Sequence, residues 1–230
     1  MTISIGRERS LAAVKDARAG SGQFIAGTQR QTTVENPGPE DAFSVATLVE
    51  IRRYEPRDEN SIQVVVEGVK RVRLLDWLQR DPYPSVTWEE LPEEEVSTTQ
   101  ARALVRQAQS LFDRFAQLSR RFSPEEIESV RELSEIGALA DGLASHAITE
   151  YQQQQELLEM LNPMDRLEKI CVSLGNEIEI LELENKIRQR VRQQVDKNQA
   201  DGVGDPHVAK GFVSNLPFAI PLHGITGITV

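Results

Sequence analysis

The stretch from Asn162 to Gln199 constrains this chain more than any other. Apolar residues recur there at helical spacing: Leu167, Ile170, Leu174, Ile178, Leu181, Ile187, Val191 and Val195. Asn162 offers an N-cap oxygen, and Pro163 fits the first helical position, where no N–H is needed. Glutamates fill the first half (Glu168, Glu177, Glu179, Glu182, Glu184) and cations the second (Lys186, Arg188, Arg190, Arg192, Lys197). That order suits the helix dipole, and Glu182–Lys186 and Glu184–Arg188 stand at the favourable i,i+4 spacing. At about 1.5 Å per residue the helix runs roughly 55 Å, longer than a small domain is wide. Gly175 is its one weak point, at a cost of about 1 kcal/mol.

The rest of the chain must give this rod something to pack against. With 230 residues there is room for one large domain or two small ones, and 39% hydrophobic content supports a core. A net charge of −10 argues against nucleic acid as the main partner. The single cysteine, Cys171, excludes an internal disulfide and a multi-cysteine metal site, and its helical position reads as a packed thiol. Met1–Ile5 is too short for a hydrophobic targeting core. The one long apolar segment, Phe212–Val230, is interrupted by Asn215, Pro217, Pro221 and His223. No membrane span and a cytoplasmic location are therefore expected.

The first ninety residues read as short strands with one helix. Thr2–Ile5 and Gln23–Thr28 are strands, and Arg7–Ala19 is a helix that Gly20 ends. Glu35–Pro39 is a loop. Phe43–Tyr54 is a strand with Val45, Thr47 and Val49 on one side, followed by a polar turn at Arg57–Asn60. Ser61–Glu67 alternates with Ile62, Val64 and Val66 on one face; Gly68 marks a bulge or bend before a further strand, Val69–Leu75. Tyr83–Trp88 is the last strand candidate. So many short strands with one helix predict a small, strongly bent sheet or open barrel.

Helical periods take over after Glu93. Ser97 and Gln100 form a capping box before an amphipathic helix that ends near Arg121. Ser123 and Glu126 form a second box, with Phe122 placed to staple onto Ile127. Gly137 and Gly142 predict a break around Ala138–Asp141, with a short helix at Leu143–Ala147 and another at Glu150–Leu161. These helices need a shared core, hence a bundle. Ala200–Val230 has few charges, five glycines and three prolines, and no periodic pattern.

Tests for chemistry find little. The nearest approach to a phosphate loop, Gly204 with Lys210, has the wrong spacing. A serine–lysine dyad needs a folded catalytic domain to hold both residues. His146, His207 and His223 form no close metal pair. The acidic run Glu89, Glu90 and Glu93–Glu95 reads as a solvated linker before a helix, and Lys70, Arg71 and Arg73 as alternating exposure on a strand. No catalytic, cofactor-binding or metal-binding residue is assigned. Trp77, Tyr83 and Trp88 cluster around the last strands. Core packing is the simpler role for them; a groove for extended chains is the functional one.

Several strings resemble the N-terminal domain of Lon, the ATP-dependent protease. Gly6-Arg7-Glu8-Arg9-Ser10 resembles the family's segment entering its first helix, and Val66-Glu67-Gly68-Val69-Lys70-Arg71-Val72-Arg73 its Val-Glu-Gly hairpin. Gln155-Glu156-Leu157-Leu158-Glu159 resembles Lys-Gln-Glu-Leu-Leu-Glu. Leu167-Glu168-Lys169, Glu177–Leu181 and Lys197-Asn198-Gln199 resemble its long exit helix. Their joint order spans residues 2–199. The family's usual first strand, Leu-Pro-Leu-Leu-Pro-Leu, is not matched, and the likeness stops after Gln199, before the ATPase and protease modules.

The resemblance implies an α+β protein: a β-rich unit with one helix over 1–95, a helical unit over 96–161, an exit helix over 162–199, and a tail of other origin over 200–230. It implies a non-catalytic domain that recognises unfolded or degron-bearing proteins and helps organise an oligomer. The candidate substrate-binding residues are Trp77, Tyr83 and Trp88, and the candidates for helix packing or assembly are Leu174, Ile178, Leu181, Ile187 and Val191. The alternative is a stand-alone interaction or scaffold protein that self-associates through the long helix. An independent hydrolase has no supporting constellation.

Overall fold

A computed structural model of the chain describes residues 1–58, 60–96, 98–201 and 228–229. The capping expected at Ser97, and the segment 202–227 with His207, Lys210 and His223, lie outside the described residues. The first elements are β1 (Thr2–Ile5), α1 (Glu8–Ala19), β2 (Gln23–Thr28), β3 (Val45–Asp58), β4 (Ser61–Gln79) and β5 (Ser85–Glu90). They form one antiparallel sheet in the order β1-β4-β3-β2, with β5 also on β4. β4 is the spine. Its first half holds β1 through Ile62–Val65, and its second half holds β5 between Val72 and Gln79.

The two strands expected on either side of Gly68 are thus one strand of 19 residues. The expected irregularity is present: Val49 pairs with Gly68 and Leu48 with Lys70, leaving Val69 as the extra residue of a bulge. Two further register shifts follow in the β3–β4 ladder, and two in β4–β5. Each inserts local bend and twist, which lets a sheet of few strands coil. β3 runs on past Tyr54 to Asp58, where the Asp58 carboxylate accepts from Asn60 N–H (2.8 Å) and Ser61 Oγ (2.6 Å) to close the turn. Leu11 and Val14 of α1 pack on Ile3, Ile5, Phe24, Val49 and Val64, the core of one sheet face. The other face has a much smaller core of Ala46, Leu48 and Val72, with Ile25 and Leu74 beside it.

The helical part comprises α2 (Thr98–Ser119), α3 (Pro124–Arg131), α4 (Ile136–Ala147), α5 (Tyr151–Glu159) and α6 (Pro163–Asp201). The Ser123–Glu126 capping box forms. Asn162 caps α6, its Oδ1 accepting from Met164 N–H (2.9 Å) and Asp165 N–H (3.3 Å). Phe112 and Phe115 of α2, Leu139 and Leu143 of α4, and Leu167, Ile170 and Leu174 of α6 share one core. Glu182 is paired with Arg114 of α2 rather than with Lys186.

The break expected at Ala138–Asp141 is absent: α4 runs unbroken through both glycines. These glycines serve close approach instead of termination. A Cβ on Gly137 would lie 2.1 Å from Glu93 Oε2, and one on Gly142 would lie 2.7 Å from Leu133 Cδ1.

Moving Glu93 aside would break its ion pairs, because it joins the two parts of the chain. Its Oε1 takes Arg71 Nη1 from β4 at 2.8 Å and also pairs with Arg166 Nη2 from α6. Asp141 of α4 takes both arginines again, Arg71 Nη2 at 2.5 Å and Arg166 Nε at 3.1 Å. Arg71 also donates to Leu158 O (3.2 Å) and Arg166 to Met160 O (2.7 Å). The acidic run is a solvated linker only in part: Glu94 and Glu95 are exposed in the connection to α2, whereas Glu93 is tied into the junction. Glu89 and Glu90 lie in β5 and pair with Arg73 (2.9 Å) and Lys70 (2.5 Å), while Arg71 reaches into the junction with a side chain only 10% exposed. Gln155 adds a buried bond from Nε2 to Val45 O at 2.9 Å.

Arg166 has no exposed side-chain area. Its carboxylate partners are partly exposed and keep Arg71, so Arg166→Ala is expected to lower stability by about 1–3 kcal/mol, through lost packing and lost charge-assisted hydrogen bonds. Gly137→Ala forces Glu93 from both arginines and is expected to cost about 1–3 kcal/mol. Urea unfolding followed by circular dichroism measures both.

Candidate functional site

An apolar groove of about 300 Å³ opens where β2 and the β4–β5 hairpin face one another across the end of α1. β4 supplies Leu74 and Trp77, the connection to β5 supplies Tyr83 and Pro84, and β5 supplies Val86 and Trp88. Phe24, Ile25, Gly27 and Thr28 of β2 line the opposite wall, and Ala13, Asp16 and Ala17 of α1 close one end. Strand pairing sets the aromatic wall: Trp77 is opposite Val86, and Leu74 is opposite Trp88. Trp88 remains 40% exposed, a large aromatic left partly in water beside an apolar hollow.

The three aromatics singled out in the sequence thus line one groove. Tyr83 is oriented by its Oη donating to Asp16 Oδ2 at 2.6 Å, which ties the β4–β5 turn to α1. That bond to a carboxylate, aided by desolvation, raises the phenol above its ordinary titration range. Among the described residues, Asp16 is the single charged side chain of the lining. Gln29 is engaged in structure at the margin: its Oε1 accepts from Arg7 Nη1 and its Nε2 donates to Val34 O, both at 2.8 Å.

Ile25, Leu74, Val86 and Asp16 were not singled out from the sequence. The first three carry the ordinary signal of strand alternation. The register shifts between Leu74 and Gln79 decide which face each presents, and these have no clear local signature.

The helix residues fall into two groups. Leu174 and Ile178 are buried in the helical core, with Leu181 packed at its edge. Ile187 and Val191 are 59% and 57% exposed. They continue an exposed row with Ile180, Leu183 and Val195, turned away from the buried face. Cys171 is buried on the core side, and desolvation, with a lesser push from Glu168, raises its thiol to about 11. It therefore stays protonated at neutral pH and is a packing residue. His146 packs edge-on to Phe122 and tilted against Phe112. Among the described residues no three His, Cys, Asp or Glu side chains are placed to hold a metal ion, and no helix is long and apolar enough to cross a membrane.

The architecture is α+β: an open antiparallel sheet followed by packed helices and one long helix. Residues 1–176 match the profile of the substrate-binding domain of ATP-dependent protease La (Lon). A Lon protease of Brevibacillus choshinensis is 34% identical over 199 residues, which is 86% of this chain and 26% of that protein. Lon protease 1 of Myxococcus xanthus is 35% identical over 204 residues, covering 86% of this chain and 25% of its own length. The N-terminal domain of the Mycobacterium avium complex Lon protease superposes with a TM-score of 0.58 at 25% identity, over 76% of this chain and 90% of that one.

The chain belongs to the Lon substrate-binding domain family. It spans about a quarter of the length of the curated relatives it matches, and the matched region is the non-catalytic, substrate-binding one.

One of the three tyrosines is expected to ionise late in a spectrophotometric alkaline titration. Asp16→Asn removes the acceptor charge, and the late component should move back toward the ordinary phenol range.

Proposed function

We propose that this chain recognises protein substrates for a Lon-type protease by holding unfolded or degron-bearing polypeptide in the groove between β2 and β5. The chain contributes binding, and the chemistry belongs to ATPase and protease modules. The convergence of Trp77, Tyr83 and Trp88 on one partly exposed apolar groove carries this reading. A folded protein hides its apolar side chains, whereas an unfolded one offers them in extended backbone. A groove walled by two indoles and aliphatic side chains discriminates on that difference.

Binding of a chemically denatured, reduced protein should quench or shift the tryptophan emission. Trp77→Ala and Trp88→Ala should each weaken that binding about tenfold, as expected for a central aromatic anchor, with unchanged far-ultraviolet circular dichroism. Unaltered affinity in both variants would place the substrate elsewhere.

The exposed row Ile180, Leu183, Ile187, Val191 and Val195 favours a second role for α6, self-association beyond the helical core. Leu174 and Ile178 hold α6 against α2 and α4, so charges placed there would disrupt the fold and not only an assembly. Ile187→Glu with Val191→Glu is the clean test. Light scattering across concentration should show an oligomer lost in that double variant while the thermal unfolding midpoint is retained. A monomer at every concentration in the parent chain would remove this role.

A further inference from the structure

β2 is laddered to β3 on one side. Two bonds at its ends set the alternation: Ile51 N–H donates to Gly22 O (2.8 Å), and Phe43 N–H donates to Thr28 O (3.0 Å). In an antiparallel strand the N–H and C=O of one residue point the same way, and successive residues alternate. The even-numbered residues of β2 therefore face β3. The amides of Gln23, Ile25 and Gly27 face the outer edge.

Local contacts cover only part of that edge. At Gln23 the Ser21 Oγ accepts from the outward N–H at 3.2 Å. At the other end a two-residue strand, β6 (Ile228–Thr229), lies antiparallel with Gly27 opposite Thr229 and Thr28 opposite Ile228. The pairing stops short of Ile25. Across the groove, β5 is paired with β4 and with no other described strand. Two strand edges thus border one apolar seam, and a segment of the chain itself already sits on part of it.

Building on the function proposed above, we propose that the bound polypeptide enters this seam as an added antiparallel strand on the outer edge of β2. Its main chain bonds to the outward groups of Ile25 and Gly27, and alternate side chains enter the groove against Leu74, Trp77 and Trp88. The occupant is an extended, uncharged segment rich in β-branched residues, the chemistry of the Ile-Thr pair already on the edge. Asp16, the single charge of the lining among the described residues, disfavours acidic segments. Because the seat overlaps that of Ile228–Thr229, binding displaces that pair. Backbone recognition supplies tolerance of sequence, and the groove supplies selection for apolar, unfolded chain.

The test uses the full chain and a fluorescent peptide copying residues 224–230, Gly-Ile-Thr-Gly-Ile-Thr-Val, followed by anisotropy. Two versions carry N-methyl groups on alternate amides, one on the odd set and one on the even set. A strand added to β2 presents one set to the edge and the other to solvent. One version should therefore bind at least about tenfold more weakly while the other stays within about twofold of the parent peptide. Equal effects of the two sets would overturn strand addition, as would failure of the parent peptide to bind while denatured protein still perturbs tryptophan emission. If neither ligand binds, the substrate-recognition reading falls and takes this one with it.

Discussion

Glu93 sits between two guanidinium groups that belong to different parts of the fold. Arg71 comes from the spine of the sheet and Arg166 from the first turns of the long helix, and Asp141 of α4 meets both. The cluster holds two cations and two anions, with carbonyl oxygens of Leu158 and Met160 taking further donors. An arginine as deeply buried as Arg166 is tolerated because its charge is matched by two carboxylates and both Nη groups donate to acceptors, although its Nε makes an ion-pair contact with Asp141 and no hydrogen bond. Unpaired, the fully buried Arg166 would oppose folding, whereas Glu93 and Asp141 keep contact with water. Together they fix where the sheet ends, where α4 crosses and where α6 begins.

That junction has consequences on both sides. On the helical side it requires glycine at position 137, since the Glu93 carboxylate occupies the space a Cβ would need. On the sheet side it anchors β4 through Arg71, close to Leu74 and Trp77. The cross-strand pairs of Lys70 with Glu90 and Arg73 with Glu89 hold β5 in register there, though as exposed pairs they add modest stability. The aromatic wall of the groove is thus built on the segment of β4 that is tied to the helices. The opposite wall, β2, is tied to β3 and α1, and beyond them to the two residues of β6 at its end. A fixed wall facing an incompletely paired strand is an arrangement suited to accepting extended chain.

Much of this was legible in the residues. Period-2 alternation found β1, β2 and the start of β4; Asn162-Pro163 located the start of α6, and Ser123-Pro124-Glu125-Glu126 that of α3. The failures share one cause, which is that tertiary contact decided what local chemistry left open. Gly68 permits either a strand end or a bulge, and pairing with β3 selects the bulge. Gly137 and Gly142 signal a helix break when read locally, yet they mark close packing by Glu93 and Leu133. The glutamates after Trp88 resemble a solvated linker until cationic partners arrive from β4 and α6. For the groove, aromatic residue type was informative by itself, whereas Ile25, Leu74 and Val86 needed the register. Along α6, periodicity found the apolar positions but did not separate those that face the bundle from those that remain exposed.

We propose that unfolded polypeptide sits between β2 and β5. Amide chemical-shift mapping of the isotopically labelled chain, titrated with an unlabelled denatured protein, tests it most directly. The perturbed amides should cluster on β2, on the Trp77–Trp88 hairpin and at the C-terminal end of α1. Perturbations confined to α2, α4 or the exposed row of α6, with that cluster unmoved at saturation, would contradict it.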